Sequence, residues 1–324
     1  MDNQRNCTID FLRLFFSILV VAIHTSPLIE FNEVISYFCS QTISRLAVPF
    51  FSAVAGYFFF SKSTRKYWNS ILKYLIIYSF WSVLMFIYDA IRWKAPILSF
   101  VVYVLRTFFL TGWHHYWYLL AILYTMVLIA VANAISSKAN RIIYYLSFVF
   151  LAIGIAINNY GSVFGNLPVL SFFKNADPYV YAGWLTLVLP FFMLGYRLSI
   201  KKDELHIRRP LMITIGCTLG LLIEIFITTV FDLHSNVSLC LFTYPTVFFL
   251  IHWALKNPYL SLYTKARYCA GMASVIYLGH MVIALFTQAK GCSETLTFLV
   301  SILITAIVGL ILTKIDKPII RKII

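Results

Sequence analysis

Acidic residues are scarce in this chain: 12 Asp and Glu stand against 26 Lys and Arg, and charged residues of either sign occupy only 12% of 324 positions. Average soluble proteins carry about 25% charged residues, so the polar surface of a water-soluble domain is missing. No long polar stretch parts two compositions, and no period of about 20–50 residues recurs, which argues against a multidomain soluble enzyme or a solenoid. Six cysteines are present, but no Cys-x-x-Cys and no His-x-x-x-His spacing occurs, so no structural metal is expected. Cys39 and Cys292 fall in segments expected on the outer side, where pairing stays open. Cys7, Cys217, Cys240 and Cys269 read as packing residues.

What fills the chain is apolar: 61% of residues are hydrophobic. Runs long enough to span a bilayer fall at Ile9–Ile29, Ile43–Phe60, Ile71–Ile91, Tyr116–Ile135, Ile142–Ile157, Val180–Leu198, Leu211–Phe231, Val237–Leu255, Cys269–Gln288 and Thr295–Thr313. Each is near the ~20 residues a membrane helix needs, so the expected fold is all-α, a polytopic bundle of about ten transmembrane helices in one domain over residues 1–324. Ile97 to Leu110, interrupted by Arg106, reads as a re-entrant or interfacial segment. Asn158 to Tyr179 reads as an irregular outer loop of the kind that caps a site. The first run keeps a charge and a histidine, and Thr25-Ser26-Pro27 offers no small-residue cleavage site, so it is expected to stay as a helix.

The net charge of +14 is read by position rather than as a nucleic-acid footprint. If the runs alternate from a cytoplasmic N-terminus, the outer segments hold only Arg92, Lys94, Arg106, Lys174 and Lys290. Arg13 and Arg45 lie at membrane depth, and every other Lys and Arg of the 26 falls inside. That bias fits both termini in the cytoplasm and a multi-pass protein of a plasma membrane. The basic tail from Lys314 to Ile324 suits either a natural short end or a chain truncated before a cytoplasmic domain.

Within the first run, Arg13 and His24 stand eleven residues apart. At about 100° per residue these positions come within roughly 20° of three whole turns and sit about 16 Å apart along the axis. Asp10 and Ser17 share the face. Lipid contact would cost about 2.5–3.5 kcal/mol for a mid-helix arginine alone, so this stripe should look into a protein interior or a water-filled cavity. Snorkelling of Arg13 to headgroups would account for one residue and not for the stripe. Arg45, followed by Pro49, fits either an interfacial anchor at a helix start or the wall of the same cavity as His24. His114-His115-Tyr116-Trp117-Tyr118 marks a return into the membrane, Glu224 is a carboxylate inside the seventh run, and Tyr277 and His280 share a helix face. Each of these is a satisfied interior group or a site residue.

The Arg-x10-His pair resembles the hallmark of the acyltransferase-3 family of membrane acyltransferases. Similar to that family are also Arg45-Leu46-Ala47-Val48-Pro49-Phe50-Phe51, His115-Tyr116-Trp117-Tyr118 and Ser274-Val275-Ile276-Tyr277-Leu278-Gly279-His280. Ala55-Gly56 departs from the Ser-Gly usual there, which leaves any hydroxyl role at position 55 in doubt. A narrower resemblance links Ala22-Ile23-His24-Thr25-Ser26-Pro27-Leu28, His114–Tyr118 and Leu221-Leu222-Ile223-Glu224 to the membrane half of serine racemases from vancomycin-resistance clusters.

The first resemblance implies an O-acyltransferase that uses an acyl-CoA, acetyl-CoA above all, as donor without a metal, and an extracytoplasmic sugar or cell-envelope hydroxyl as acceptor. His24 would act as base, Arg13 would hold the anionic donor and Arg45 would stabilise the oxyanion. Asp10, His115, Trp117, Glu224, Tyr277 and His280 complete the expected substrate-binding set. The narrower resemblance implies a serine-binding or serine-transport module, with Arg13 or Arg45 on the amino acid's carboxylate and Glu224 on its ammonium. No inverted repeat stands out, which counts against an ordinary secondary carrier.

Overall fold

The computed structural model describes residues 5–94, 96–164, 167–168, 183–201, 204–233, 239–259, 263–315, 317–318 and 320–323, and these form helices and connections with no strand among them. Helix α1, Cys7–Thr25, begins under the Asn6 side chain, whose oxygen accepts from the Ile9 N–H at 2.9 Å. It ends at Ser26, which takes the left-handed conformation (φ 41°) common at helix C-termini. A short helix follows, α2 (Glu33–Gln41), capped in the same way by Asn32 on the Ile35 N–H. It has no counterpart among the expected runs, because nine residues lie far below the length a membrane-span window detects. A 3₁₀ turn at Ile43–Leu46 then leads into α3, Ala47–Phe60.

The longer helices that follow are α4 (Tyr67–Arg92), α5 (Ile97–Arg106), α6 (Trp117–Ile135), α7 (Ala139–Asn158), α8 (Leu189–Lys201), α9 (Pro210–Val230), α10 (Thr243–Lys256), α11 (Tyr263–Ala289) and α12 (Glu294–Ile315). Pro210 opens α9 at the position where its missing N–H costs nothing. Among the described residues, eight helical stretches are long and apolar enough to cross a membrane: Cys7–Thr25, Glu33–Phe60, Tyr67–Arg92, Ile97–Ile135, Ala139–Asn158, Pro210–Val230, Ala266–Ala289 and Glu294–Ile315. The two other expected runs, Val180–Leu198 and Val237–Leu255, hold most of α8 and α10, helices of 13 and 14 residues. Both are largely enclosed by neighbours, and an enclosed helix need not match the hydrocarbon thickness by itself. Residues 169–179 of the expected Asn158–Tyr179 loop lie outside the described residues.

Helix α1 packs along α11, which packs along α12; α3 packs along α8, α9 along α10 and α4 against α6. The α3–α8 contact is close because two glycines face each other's backbones. A Cβ at Gly56 would run into the Phe192 carbonyl, and one at Gly195 into the Ala53 carbonyl. On the outside, Leu296, Leu299, Leu303, Ile307 and Ile311 of α12 and Ile215, Leu219, Ile223 and Phe226 of α9 stand exposed. Apolar bands of this extent are surfaces for lipid rather than water. All six cysteines are free thiols, Cys39 and Cys292 included.

Candidate functional site

The polar face of α1 turns inward, as its stripe predicts: Asp10 and Ser17 are buried, and Arg13 and His24 are half-buried. At one end of the stripe, the Asp10 carboxylate lies 3.6 Å from the Arg13 guanidinium and also pairs with Arg5. Asp10 is therefore committed to two arginines, Arg5 ahead of the helix and Arg13 one turn further on, and acts to position Arg13. The Arg13 guanidinium sits 5.4 Å from the centre of the Phe58 ring, a cation–π geometry. Lys73, Tyr74 and Tyr118 lie within electrostatic reach of it. Lys73 and Tyr74 belong to no motif, Tyr118 closes the His115–Tyr118 segment, and the relation of all three to Arg13 exists only in the packed bundle.

At the other end, His24 meets two histidines from distant parts of the chain. Its ring centre lies 5.8 Å from that of His115 and 5.4 Å from that of His280, and the last two are 4.4 Å apart. His115 reaches this place because the chain breaks before α6: after a π-helical turn at Thr107–Thr111, Gly112 adopts φ 76° and His114 φ 43°. A non-glycine residue in the left-handed region costs energy, and such outliers gather at functional sites. His280 is presented by α11. The break and α11 are tied together by Tyr116, whose hydroxyl donates to the Leu278 carbonyl at 2.5 Å, and by Tyr277, whose hydroxyl donates to the His115 carbonyl at 3.3 Å.

The hydrogen bonds assign the His280 tautomer. Its Nδ1 is 2.9 Å from the carbonyls of both Ile276 and Tyr277, so Nδ1 carries the proton and Nε2 the free lone pair. That Nε2 is buried and has no partner among the described residues, and neither ring nitrogen of His115 has one. Buried polar atoms are nearly always satisfied, so three orphaned ring nitrogens beside His24 mark a place where something polar binds. No group of His, Cys, Asp or Glu among the described residues has an arrangement that would hold a metal ion.

Arg45, on the 3₁₀ turn before α3, lies within electrostatic reach of His24. One of its terminal nitrogens donates to Gln41, while its Nε is buried and unpartnered. Tyr277, with its ring 5.5 Å from that of His115 and 5.8 Å from that of Tyr118, forms the inner wall between the two ends of the stripe. Two expected residues are placed elsewhere. Trp117 lines a separate cleft with Leu110, Thr111, Tyr124 and Trp184, since consecutive helical residues face about 100° apart. Glu224 accepts from Asn159 (2.6 Å), Tyr160 (3.2 Å) and the Leu241 N–H (2.8 Å) on one oxygen, and from the Phe242 N–H (3.1 Å) on the other. It caps the start of α10, a use of its charge internal to the protein. Burial, together with this carboxylate, pushes the Tyr160 phenol up to about 12.

Comparison with known proteins identifies the family of the chain. The family described as an acyltransferase domain, acyltransferase-3, matches residues 8–314. An amino-acid racemase of Enterococcus faecalis is 25% identical over 309 residues, covering 91% of this chain and 41% of that protein. A serine/alanine racemase of Enterococcus gallinarum is 25% identical over 269 residues, covering 78% of this chain and 38% of that protein. The chain thus spans about two fifths of the length of these curated relatives. No solved structure matches it significantly. A match running from the second residue of α1 to the last turn of α12 leaves one conclusion: the chain belongs to the acyltransferase-3 family and is a multi-pass membrane protein.

Proposed function

We propose that the protein is a membrane O-acyltransferase that takes an acetyl group from cytoplasmic acetyl-CoA and passes it to a hydroxyl of an extracytoplasmic sugar or cell-envelope acceptor. The observation that carries this reading is the trio His24, His115 and His280, with unpartnered nitrogens at one end of a helix face whose other end holds Arg13. Arg13, with Lys73 nearby, holds the anionic part of the donor at the cytoplasmic end, and the acyl end of the extended pantetheine arm reaches towards the histidines. His24 takes the proton of the acceptor hydroxyl as that oxygen bonds to the thioester carbon. Arg45 stabilises the oxyanion, the carbon–sulfur bond breaks, and the proton passes from His24 to the departing thiolate of CoA. The charge bias of the loops supports both termini in the cytoplasm, and the Enterococcus relatives support a bacterial plasma membrane.

The relatives' names favour a second reading, in which the same cavity binds serine for a racemase activity carried elsewhere. Both readings are tested by one experiment on the purified protein: binding of labelled acetyl-CoA and of L-serine, side by side, in the native chain and in Arg13→Ala. Acetyl-CoA binding that is lost in the variant supports acyl transfer. Serine binding with no acetyl-CoA binding overturns it in favour of the amino-acid module. Within the enzyme reading, a folded His24→Ala protein that still acetylates its acceptor removes the base assignment.

A further inference from the structure

Away from the histidines, a cavity of about 320 Å³ opens between the start of α7 and the end of α8, where Arg141, Tyr144, Tyr196, Arg197 and Lys201 converge. Lys201 pairs with the exposed carboxylate of Glu204. Arg141 and Arg197 have no carboxylate within ion-pair distance among the described residues. Two arginines sharing one cavity repel each other, and an anion between them would relieve that repulsion. The floor is aromatic and fixed: the Tyr196 ring lies 4.9 Å from that of Phe60 and 6.2 Å from that of Tyr144. The outer wall differs in kind. Tyr145 is 65% exposed and Ile200 49% exposed, and the wall continues along α7 into exposed Ile142, Leu146 and Val149. In a bilayer that surface is covered by acyl chains.

Arg141 is exposed and Arg197 half-buried, so the cations face the rim; set on an aromatic floor beside a lipid-facing apolar strip, they describe a phosphate that arrives attached to hydrocarbon. We infer that this cavity binds the phosphate headgroup of an anionic phospholipid, with Arg141 and Arg197 as its main ligands. The same chemistry would recognise a soluble phosphate compound, but such a ligand has no use for the apolar strip. None of these residues takes part in the acyl transfer proposed above, so the two ideas fail or stand separately.

The test is native mass spectrometry of the full chain released from detergent, with phosphatidylglycerol or phosphatidylcholine added. The native protein should retain phosphatidylglycerol in preference to phosphatidylcholine. In Arg141→Gln/Arg197→Gln that retention should drop roughly tenfold or more, as expected for the loss of two basic contacts to an anionic headgroup. Arg141→Lys/Arg197→Lys should restore part of it. Inorganic phosphate and coenzyme A should leave the lipid bound. Equal retention of the two lipids by the native protein overturns the proposal without recourse to any variant. Unchanged phosphatidylglycerol retention in a folded double variant also overturns it, and displacement by coenzyme A would make this a site for a soluble phosphate.

Discussion

Glu224 and His280 are both buried at membrane depth, yet the structure uses them in opposite ways. Glu224 accepts from four protein donors, two of them backbone N–H groups at the start of α10. Replacing it with Gln keeps an acceptor but loses the charge, so Glu224→Gln should cost about 1–3 kcal/mol of stability. It should leave the affinity of the folded protein for acetyl-CoA or serine unchanged. Thermal unfolding and equilibrium binding on one preparation check both halves, and a selective loss of serine affinity would return Glu224 to the ligand site. His280, by contrast, has one nitrogen held by carbonyls and the other bare. If the trio handles the acceptor's proton, His280→Ala should lower the acyl-transfer rate by about 10²–10⁴-fold. The donor's Kd should stay as it is, since His280 packs at the His24 end of the stripe, about 16 Å along α1 from Arg13. Steady-state kinetics beside acetyl-CoA binding separates these outcomes, and a loss of donor affinity alone would remove His280 from the chemistry.

Among the elements, α3 and α8 are joined by contact of backbone with backbone, which leaves no soft side chain to yield. Gly56→Ala would press a methyl group against the Phe192 carbonyl. Overpacking of this sort costs about 1–3 kcal/mol, and a β-branched residue should cost more, read as a fall in the unfolding midpoint from Gly56→Ala to Gly56→Val. A weaker clasp holds the α1–α2 connection to α12. Glu30 accepts from the Thr295 hydroxyl at 2.6 Å and from its N–H at 3.0 Å. These bonds, the hydroxyl's first, hold the Glu30 carboxyl down at about 2, from an ordinary 4.5. A carboxyl lowered by folding stabilises the native state fully above its unfolded value and loses that contribution as pH falls towards the folded one. The clasp should therefore weaken between about pH 4.5 and 2. Glu30→Gln should flatten the unfolding midpoint against pH across the upper part of that window, and an unchanged slope would show that the clasp adds nothing. Glu30 is fully exposed, so the change should be small. The long helices were readable because twenty apolar residues have few other fates. α2 was not, because its only sequence marks are an Asn32 cap and a Glu33 in the first turn, signals that many loops share.

Across the whole molecule, the pair on α1 could be found by spacing alone, because both residues belong to one helix and its period relates them. The trio could not. His24, His115 and His280 come together only through the packing of α1 on α11 and through the break at Gly112 and His114, so sequence reasoning reaches each histidine singly. Arg13's neighbours Lys73 and Tyr118 come from α4 and α6, and their relation to Arg13 is hidden in the sequence for the same reason. The assembled stripe has a direction, with cations at one end and imidazoles at the other, and a transfer along it must be sided. In proteoliposomes holding the protein in both orientations, acetyl-CoA outside can reach Arg13 only in those molecules whose N-terminus faces out. A protease acting on an N-terminal tag from outside counts that fraction. Acetylation of an acceptor sealed inside the vesicles should rise in proportion to it, and acceptor supplied only outside should remain unmodified by these molecules. Permeabilising the vesicles should release the full rate of both orientations. Equal acetylation of inner and outer acceptor in intact vesicles would mean that donor and acceptor meet on one side, and the separation of Arg13 from the histidines would then require another explanation.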